Sequence, residues 1–253
     1  MPQNIRPEEA MSMTRWWPAA GLLLAFALSG PAGAAEKTPD WSGIWTRVGS
    51  LNFDPAIPTR DTDEPPYTPA FAERWAKIKA AEARGEPTND RSAQCAPPGL
   101  VRMMNMVYPM EILQTPGQVT IIPEWLGQVR RIFTDGRKHP ADPDPNYNGH
   151  SIGHWEGQTL VVDTVGLRGG EIINDHGAPL GDNLHVTERF WLTDPTTMKL
   201  EITLEDPAVF TRPYKATKTF KKRTDVQMME YACEENNRNP IINGVTGVIL
   251  QGN

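Results

Sequence analysis

The sequence predicts a mostly β protein, an antiparallel barrel with one peripheral helix. Three observations predict it. From Tyr108 onward the chain is a succession of short runs of β-type residues, several with clean apolar–polar alternation. Their separators are tight and turn-like: Thr115-Pro-Gly117, Leu126-Gly127, Thr134-Asp-Gly136, Asp194-Pro195 and Lys222-Arg-Thr-Asp225. One segment alone carries a helical repeat with both a start and a stop signal.

In chain order, Trp41 to Ser50 reads as a first strand. Phe53 to Tyr67, rich in proline and acidic residues, reads as an exposed loop. Thr68-Pro69 opens the helix, with Thr68 at the N-cap and Pro69 in the first turn. Phe71, Trp75 and Ile78 follow at helical spacing, and Gly85 fits the stop. After the Cys95-Ala-Pro-Pro-Gly99 turn the predicted strands are Tyr108–Gln114, Gln118–Trp125, Gln128–Thr134, Thr159–Gly166, His185–Leu192, Met198–Glu205, Lys215–Lys222 and Val226–Cys233. Trp155-Glu-Gly-Gln-Thr159 reads as the turn of a further hairpin, fed by a strand over Ser151–Trp155. The stretch from His139 to Tyr147 reads as a proline-rich surface loop, and residues 237–253 as an irregular tail.

The N-terminus has the form of an export signal. Arg15 precedes Trp16 and Trp17, then an apolar run from Ala19 to Leu28, then the small-residue pattern Ala32-Gly33-Ala34. The run is too short to span a bilayer as a stable helix. The expected organisation is a signal peptide at 1–34, one barrel domain at 35–236 and the tail, with a periplasmic or secreted product. A net charge of −6 without basic runs argues against nucleic acid as a partner. The two cysteines, Cys95 and Cys233, most simply form one disulfide in an oxidising compartment; two buried unpaired thiols are the alternative.

All five histidines, His139, His150, His154, His176 and His185, fall between residues 139 and 185. Histidine titrates near neutrality, so its company with carboxylates points to proton transfer or metal binding. The spacing fits no metal motif, and neither a metal nor a cofactor is expected. In the His185 strand, alternation puts Val186, Glu188, Phe190 and Leu192 on one face and His185, Thr187, Arg189 and Trp191 on the other. Glu188 therefore falls on an apolar face, where an ionised carboxylate must be paired, hydrated or protonated. Asp163 interrupts an apolar strand on the face of Val161 and Val165; that face is either interior, with Arg189, Arg131 or a histidine as partner, or exposed. His185, Asp163, Glu188 and Arg189 are the candidate catalytic residues. Met103, Met104, Met106 and Met110, with Tyr108, read as a flexible apolar lining for a ligand cavity or as plain core.

Several of these segments carry a resemblance. DWSGIW at Asp40, CAPPGLVRMM at Cys95, FTDGRKHP at Phe133, GHSIGHWEGQTLVVDT at Gly149, LHVTER at Leu184, LEDP at Leu204 and EYACEEN at Glu230 resemble a largely uncharacterised family of exported bacterial proteins with a GHSIGxWEGxTLVVDT motif. His154 stands where that family's pattern has a basic residue such as Arg, and PLGDNLH at Pro179 where it has a Pro-His pair. The resemblance implies placement and brings no reaction. Gly43-Ile44-Trp45 also resembles the Gly-x-Trp signature of lipocalin-like (calycin) barrels.

The leading expectation is an exported soluble barrel that binds a small, largely apolar or amphipathic molecule in its mouth. The alternative is a cofactor-independent lyase, isomerase or hydratase using His185, Asp163, Glu188 and Arg189 in the same cavity. A structural envelope protein is a third class. Oligomeric state is open.

Overall fold

The computed structural model describes residues 38–49, 64–87 and 90–235, with 237, 239, 241–242 and 245–246. The expected signal peptide, most of the expected Phe53–Tyr67 loop and much of the tail lie outside the described residues.

Nine strands close into a barrel in sequence order: β1 (Gly43–Val48), β2 (Met110–Thr115), β3 (Gln118–Pro123), β4 (Arg130–Phe133), β5 (His150–Glu156), β6 (Thr159–Val165), β7 (His185–Asp194), β8 (Thr197–Glu205) and β9 (Tyr214–Arg223), with β9 paired back to β1. The mostly β barrel expected from the alternation is what forms. Closure leaves no unpaired edge in the wall. In the C-terminal stretch, β10 (Ile241–Ile242) pairs with β11 (Val245–Thr246).

The alternation sets the faces. In β6, Leu160, Val162 and Thr164 point inward; in β8, Met198, Leu200, Ile202 and Leu204 do. Apolar side chains from all round the wall fill the interior, including Ile112, Ile132, Phe190 and Phe220, with Trp45 of the Gly-x-Trp segment fully enclosed. The hairpin predicted at Glu156-Gly157-Gln158 joins β5 to β6, and Gly157 takes the positive φ of 59° that the turn requires.

Two features depart from the sequence reading. First, β4 and β5 run parallel, through Ile132↔Ser151 and Phe133↔Ile152, whereas the other wall pairs are antiparallel. A parallel pair needs a crossover connection rather than a tight turn. The segment between Phe133 and His150 supplies it and lies against the outside of the wall, because the inside is full. Second, Val226–Cys233 is not a strand. Once β9 has paired with β1, no free edge remains for it. Met229 N–H instead donates to the Glu124 carboxylate (2.8 Å), and Tyr231 meets Tyr108 edge-on.

Helix α1 (Pro69–Ala83) is peripheral, with Trp75 its buried residue. Thr68 occupies the N-cap but makes no capping bond; its hydroxyl donates to Ala208 O (2.9 Å) and its amide to Val209 O (2.8 Å), docking the helix on the β8–β9 connection. A one-turn helix, α2 (Leu100–Met103), brings Leu100, Val101 and Met103 into the core. The segment leading into it is fixed by the Cys95–Cys233 disulfide, with Cα atoms 5.6 Å apart. The bond joins residues 138 positions apart, and the loop-entropy relation gives an upper bound of about 5 kcal/mol for such a span.

Reduction, or Cys95→Ser with Cys233→Ser, is expected to lower the unfolding free energy by about 2–5 kcal/mol. Urea unfolding with and without reductant measures it. Unchanged midpoints would show that the disulfide does not constrain the unfolded chain as the entropy relation requires.

Candidate functional site

The four candidate catalytic residues do not share one cavity. Inside the barrel, Glu188 is 0 % exposed and faces Arg130, also 0 % exposed. Arg130 Nη1 donates to Glu188 Oε1 at 3.0 Å, and Nη2 bonds Oε2. Nη2 also reaches the hydroxyls of Ser151 and Thr164 at 3.4 Å, and these lie 2.8 Å from each other. Arg130, Ser151, Thr164 and Glu188 stand on β4, β5, β6 and β7, so the cluster ties four successive strands across the interior. The sequence requires a partner for Glu188. Arg130 is that partner, on the inner face of β4 with Ile132, and the sequence reading did not name it.

Outside the barrel, a chain of polar groups runs over the wall. Asp163 takes the exposed alternative, sharing the outer face with Val161 and Val165. His185 Nε2 lies 2.5 Å from Asp163 Oδ1, and His139 Nε2 lies 2.8 Å from Oδ2. His139 Nδ1 in turn lies 2.8 Å from His150 Nδ1, and His185 Nδ1 is 3.7 Å from Glu205 Oε2. His139 arrives on the β4–β5 crossover, the loop that the sequence assigns to the open surface. Each of the three contacts among His185, Asp163, His139 and His150 needs one hydrogen between its two atoms, and the tautomer of each ring decides which atom donates. Burial, with His139 and Arg137 nearby, holds His150 below its ordinary 6.5. His150 therefore ends a chain of hydrogen-bonded groups able to pass a proton.

Arg189 also points outward but pairs with Glu156 at 2.8 Å, on the strand position across from Val161. His154 lies near Glu156 (3.3 Å), and His176 bonds Glu82 of α1 (2.8 Å). Among the described residues, no group of three or more His, Cys, Asp or Glu side chains is arranged to hold a metal ion.

Where α2 meets the barrel there is a small cleft, with about 10 Å³ of free space, lined by Met103, Met104, Met106 and Met110, with Tyr108, Trp125, Ile121, Pro123 and Phe220. Anything larger than a water enters only if the methionine side chains move. Tyr108 and Trp125 stack with centroids 5.8 Å apart. All four methionines of the sequence cluster converge here. Behind them Arg102 of α2 pairs with the buried Asp90 (3.0 Å) and places Nη1 2.7 Å from Met106 Sδ.

Glu171 escaped the sequence reading altogether. It is 7 % exposed, and neither carboxyl oxygen has a hydrogen-bond partner among the described residues. Its carboxyl packs against Gly99, where an added Cβ would sit 2.3 Å from Oε2. Burial pushes the carboxyl up to about 9, and Arg168 offsets only part of that. At neutral pH it is a neutral acid.

No family model and no curated protein matches the chain. Among solved structures it is similar to an asparagine-to-glutamine variant of the fluorescent protein UnaG, at 17 % identity and a TM-score of 0.34, covering 73 % of this chain and 97 % of that one. No helix among the described residues is long and apolar enough to cross a membrane.

Removing one member of the interior pair leaves an uncompensated buried charge. Glu188→Leu is expected to cost about 3–5 kcal/mol, and adding Arg130→Met to recover most of it. Glu201→Gln, on the outer face of β8, should stay within about 0.5 kcal/mol. Urea unfolding of the four proteins tests this; an innocuous Glu188→Leu would remove the pair from its place in the core.

Glu171 makes stability pH-dependent with a definite sign. Its folded value lies above the ordinary 4.5, so its contribution is fully present below 4.5 and is lost as pH rises through about 9. Glu171→Gln should gain on the parent by a few kcal/mol between pH 5 and 9. Parallel pH profiles of the two proteins would show that Glu171 is ionised in the folded state.

Proposed function

We propose that this protein is an exported carrier that binds a small, largely apolar molecule at the barrel mouth, between α2 and the wall formed by β2, β3 and β9. The observation that carries the reading is the convergence of Met103, Met104, Met106 and Met110 with Tyr108 and Trp125 on one cleft. Thioether side chains are unbranched and polarisable, so they adapt to apolar ligands of differing shape. The filled interior also supports a mouth site over a deep one. Export rests on the leader-like N-terminus and agrees with the disulfide. A mature protein recovered from the periplasm and beginning at Ala35 would support it, and an uncleaved cytoplasmic product would oppose it.

The probe is N-phenylnaphthylamine, whose emission rises in apolar surroundings. Saturable enhancement is expected, with quenching of tryptophan emission that Trp125→Phe largely removes. Met106→Glu, which places a carboxylate within reach of Arg102 and in the cleft, should weaken binding about tenfold or more. If the parent protein gives no saturable signal, or Met106→Glu binds as tightly, the cleft is not the site.

A second reading is supported by the unbroken chain His185–Asp163–His139–His150. It is a cofactor-independent lyase, isomerase or hydratase working on the outer wall. In that case His185→Ala abolishes turnover and leaves the melting temperature within a few degrees. Retention of full turnover by that variant would exclude the chain from catalysis.

A further inference from the structure

The chemistry around Arg102 narrows the ligand class, and this step rests on the binding reading above. Arg102 is 7 % exposed and lies directly behind two lining residues. Its Nη1 is 2.7 Å from Met106 Sδ, and its guanidinium carbon is 5.6 Å from the Trp125 ring centre. Its charge is already matched. Nη2 donates to Asp90 Oδ2 at 3.0 Å, and Asp90, 3 % exposed, is itself held by the amide and hydroxyl of Ser92.

Its hydrogen-bonding capacity is not matched. A guanidinium offers five N–H donors. Nε has no partner among the described residues, and Nη1 faces a thioether sulfur, which is a weak acceptor. Two other arginines are buried. Arg47 donates Nε to Met106 O (3.3 Å). Arg130, whose Nε is likewise without a partner among the described residues, places both terminal nitrogens on the oxygens of Glu188, Ser151 and Thr164, so the distinguishing feature of Arg102 is Nη1 on a sulfur. Burying a donor without an acceptor carries its full desolvation cost, and a partner supplied later recovers it. Met106, an unbranched and partly exposed side chain, is the movable cover over those donors.

We infer that the cleft takes an uncharged apolar molecule bearing one carbonyl or ether-type oxygen. That oxygen displaces the Met106 sulfur and accepts from Arg102. The ligand is uncharged because Asp90 has already neutralised the guanidinium. A ligand carboxylate on Arg102 would share that guanidinium with Asp90, the nearby Arg47 Nε being turned to Met106 O (3.3 Å), and a ligand ammonium would face the guanidinium directly. The oxygen sets orientation, and the methionines and aromatics accept the hydrocarbon body. Arg102 is thus a specificity-determining residue, and a hydrocarbon of equal size leaves its donors unmet.

Three naphthalene probes of similar size test this on the mature chain by calorimetric titration at neutral pH: ethylnaphthalene, acetylnaphthalene and naphthoate. Acetylnaphthalene should bind about tenfold tighter than ethylnaphthalene, as one hydrogen bond to a charged donor predicts. Naphthoate should bind no tighter than ethylnaphthalene. Arg102→Lys keeps a cation against Asp90 but loses the fork, so the ratio of acetylnaphthalene to ethylnaphthalene affinity should fall to about twofold. Met106→Leu, which removes the sulfur but keeps the apolar lining, should widen the preference and gives a reading if Arg102→Lys does not fold. Equal binding of the two neutral probes, tightest binding of naphthoate, or loss of the preference in Met106→Leu overturns the inference and leaves the binding reading intact. Failure of the parent protein to bind any of the three overturns the binding reading itself.

Discussion

Arg130 and Glu188 face each other inside the barrel with no exposure at all, and the placement of everything on the wall follows from them. Because side chains alternate strictly along a strand, slipping β7 by one residue would put Glu188 in water and His185, Thr187 and Arg189 in the core. The surviving partner, Arg130, would then be a lone buried cation. Ser151 and Thr164 extend the same constraint to β5 and β6 by turning their hydroxyls toward Arg130. With Thr164 inward, Asp163 must be outward; with Ser151 inward, His150 must be outward. The interior pair is thus a register device, and the histidine–aspartate chain outside is its consequence. Replacing both charges by apolar groups can leave stability unharmed while loosening that choice of register.

The parallel step from β4 to β5 completes the outer chain. An antiparallel hairpin there would have kept the connection short and at the barrel's rim. A crossover must pass over one face of the sheet, and the inner face holds a filled core. The loop therefore runs outside, and His139 reaches Asp163 and His150 from a different part of the chain. Three histidines and an aspartate from β5, β6, β7 and the crossover meet because of one change in strand direction.

Alternation within a strand is written in the sequence, so β7 and β8 and their faces were legible, and β6 as a strand, as were the helix with its Thr68-Pro69 start, the Gly157 turn and the two-cysteine pairing. Which strand lies across from which is not written in any local pattern. Glu188 could be read as needing a partner, but Arg130 could not be chosen over Arg131, because that depends on how β4 sits in the closed wall. Asp163 was ambiguous for a related reason: Val161 and Val165 on its face are β-favouring residues that the wall tolerates half-exposed. Val226–Cys233 has the composition of a strand, and only closure of β9 onto β1 denies it an edge. Glu171 carries no local signal; its burial comes from the packing of its loop against Gly99.

The same geometry separates the two functional readings. The methionine cleft is built on β2, β3, β9 and α2, while the histidine chain lies on the outside of β5, β6 and β7. The filled interior stands between them, so one molecule cannot be held by the cleft and worked on by His185. Each site has its own anchor. The cleft depends on the Asp90–Arg102 pair and the Cys95–Cys233 bond that hold α2 and its approach. The histidine chain depends on the Arg130–Glu188 register and the crossover. A change that loosens α2 should therefore act on ligand capture and leave the outer imidazoles where they are. A change in β4 or β7 should do the reverse, so their separate effects can be read in a single protein.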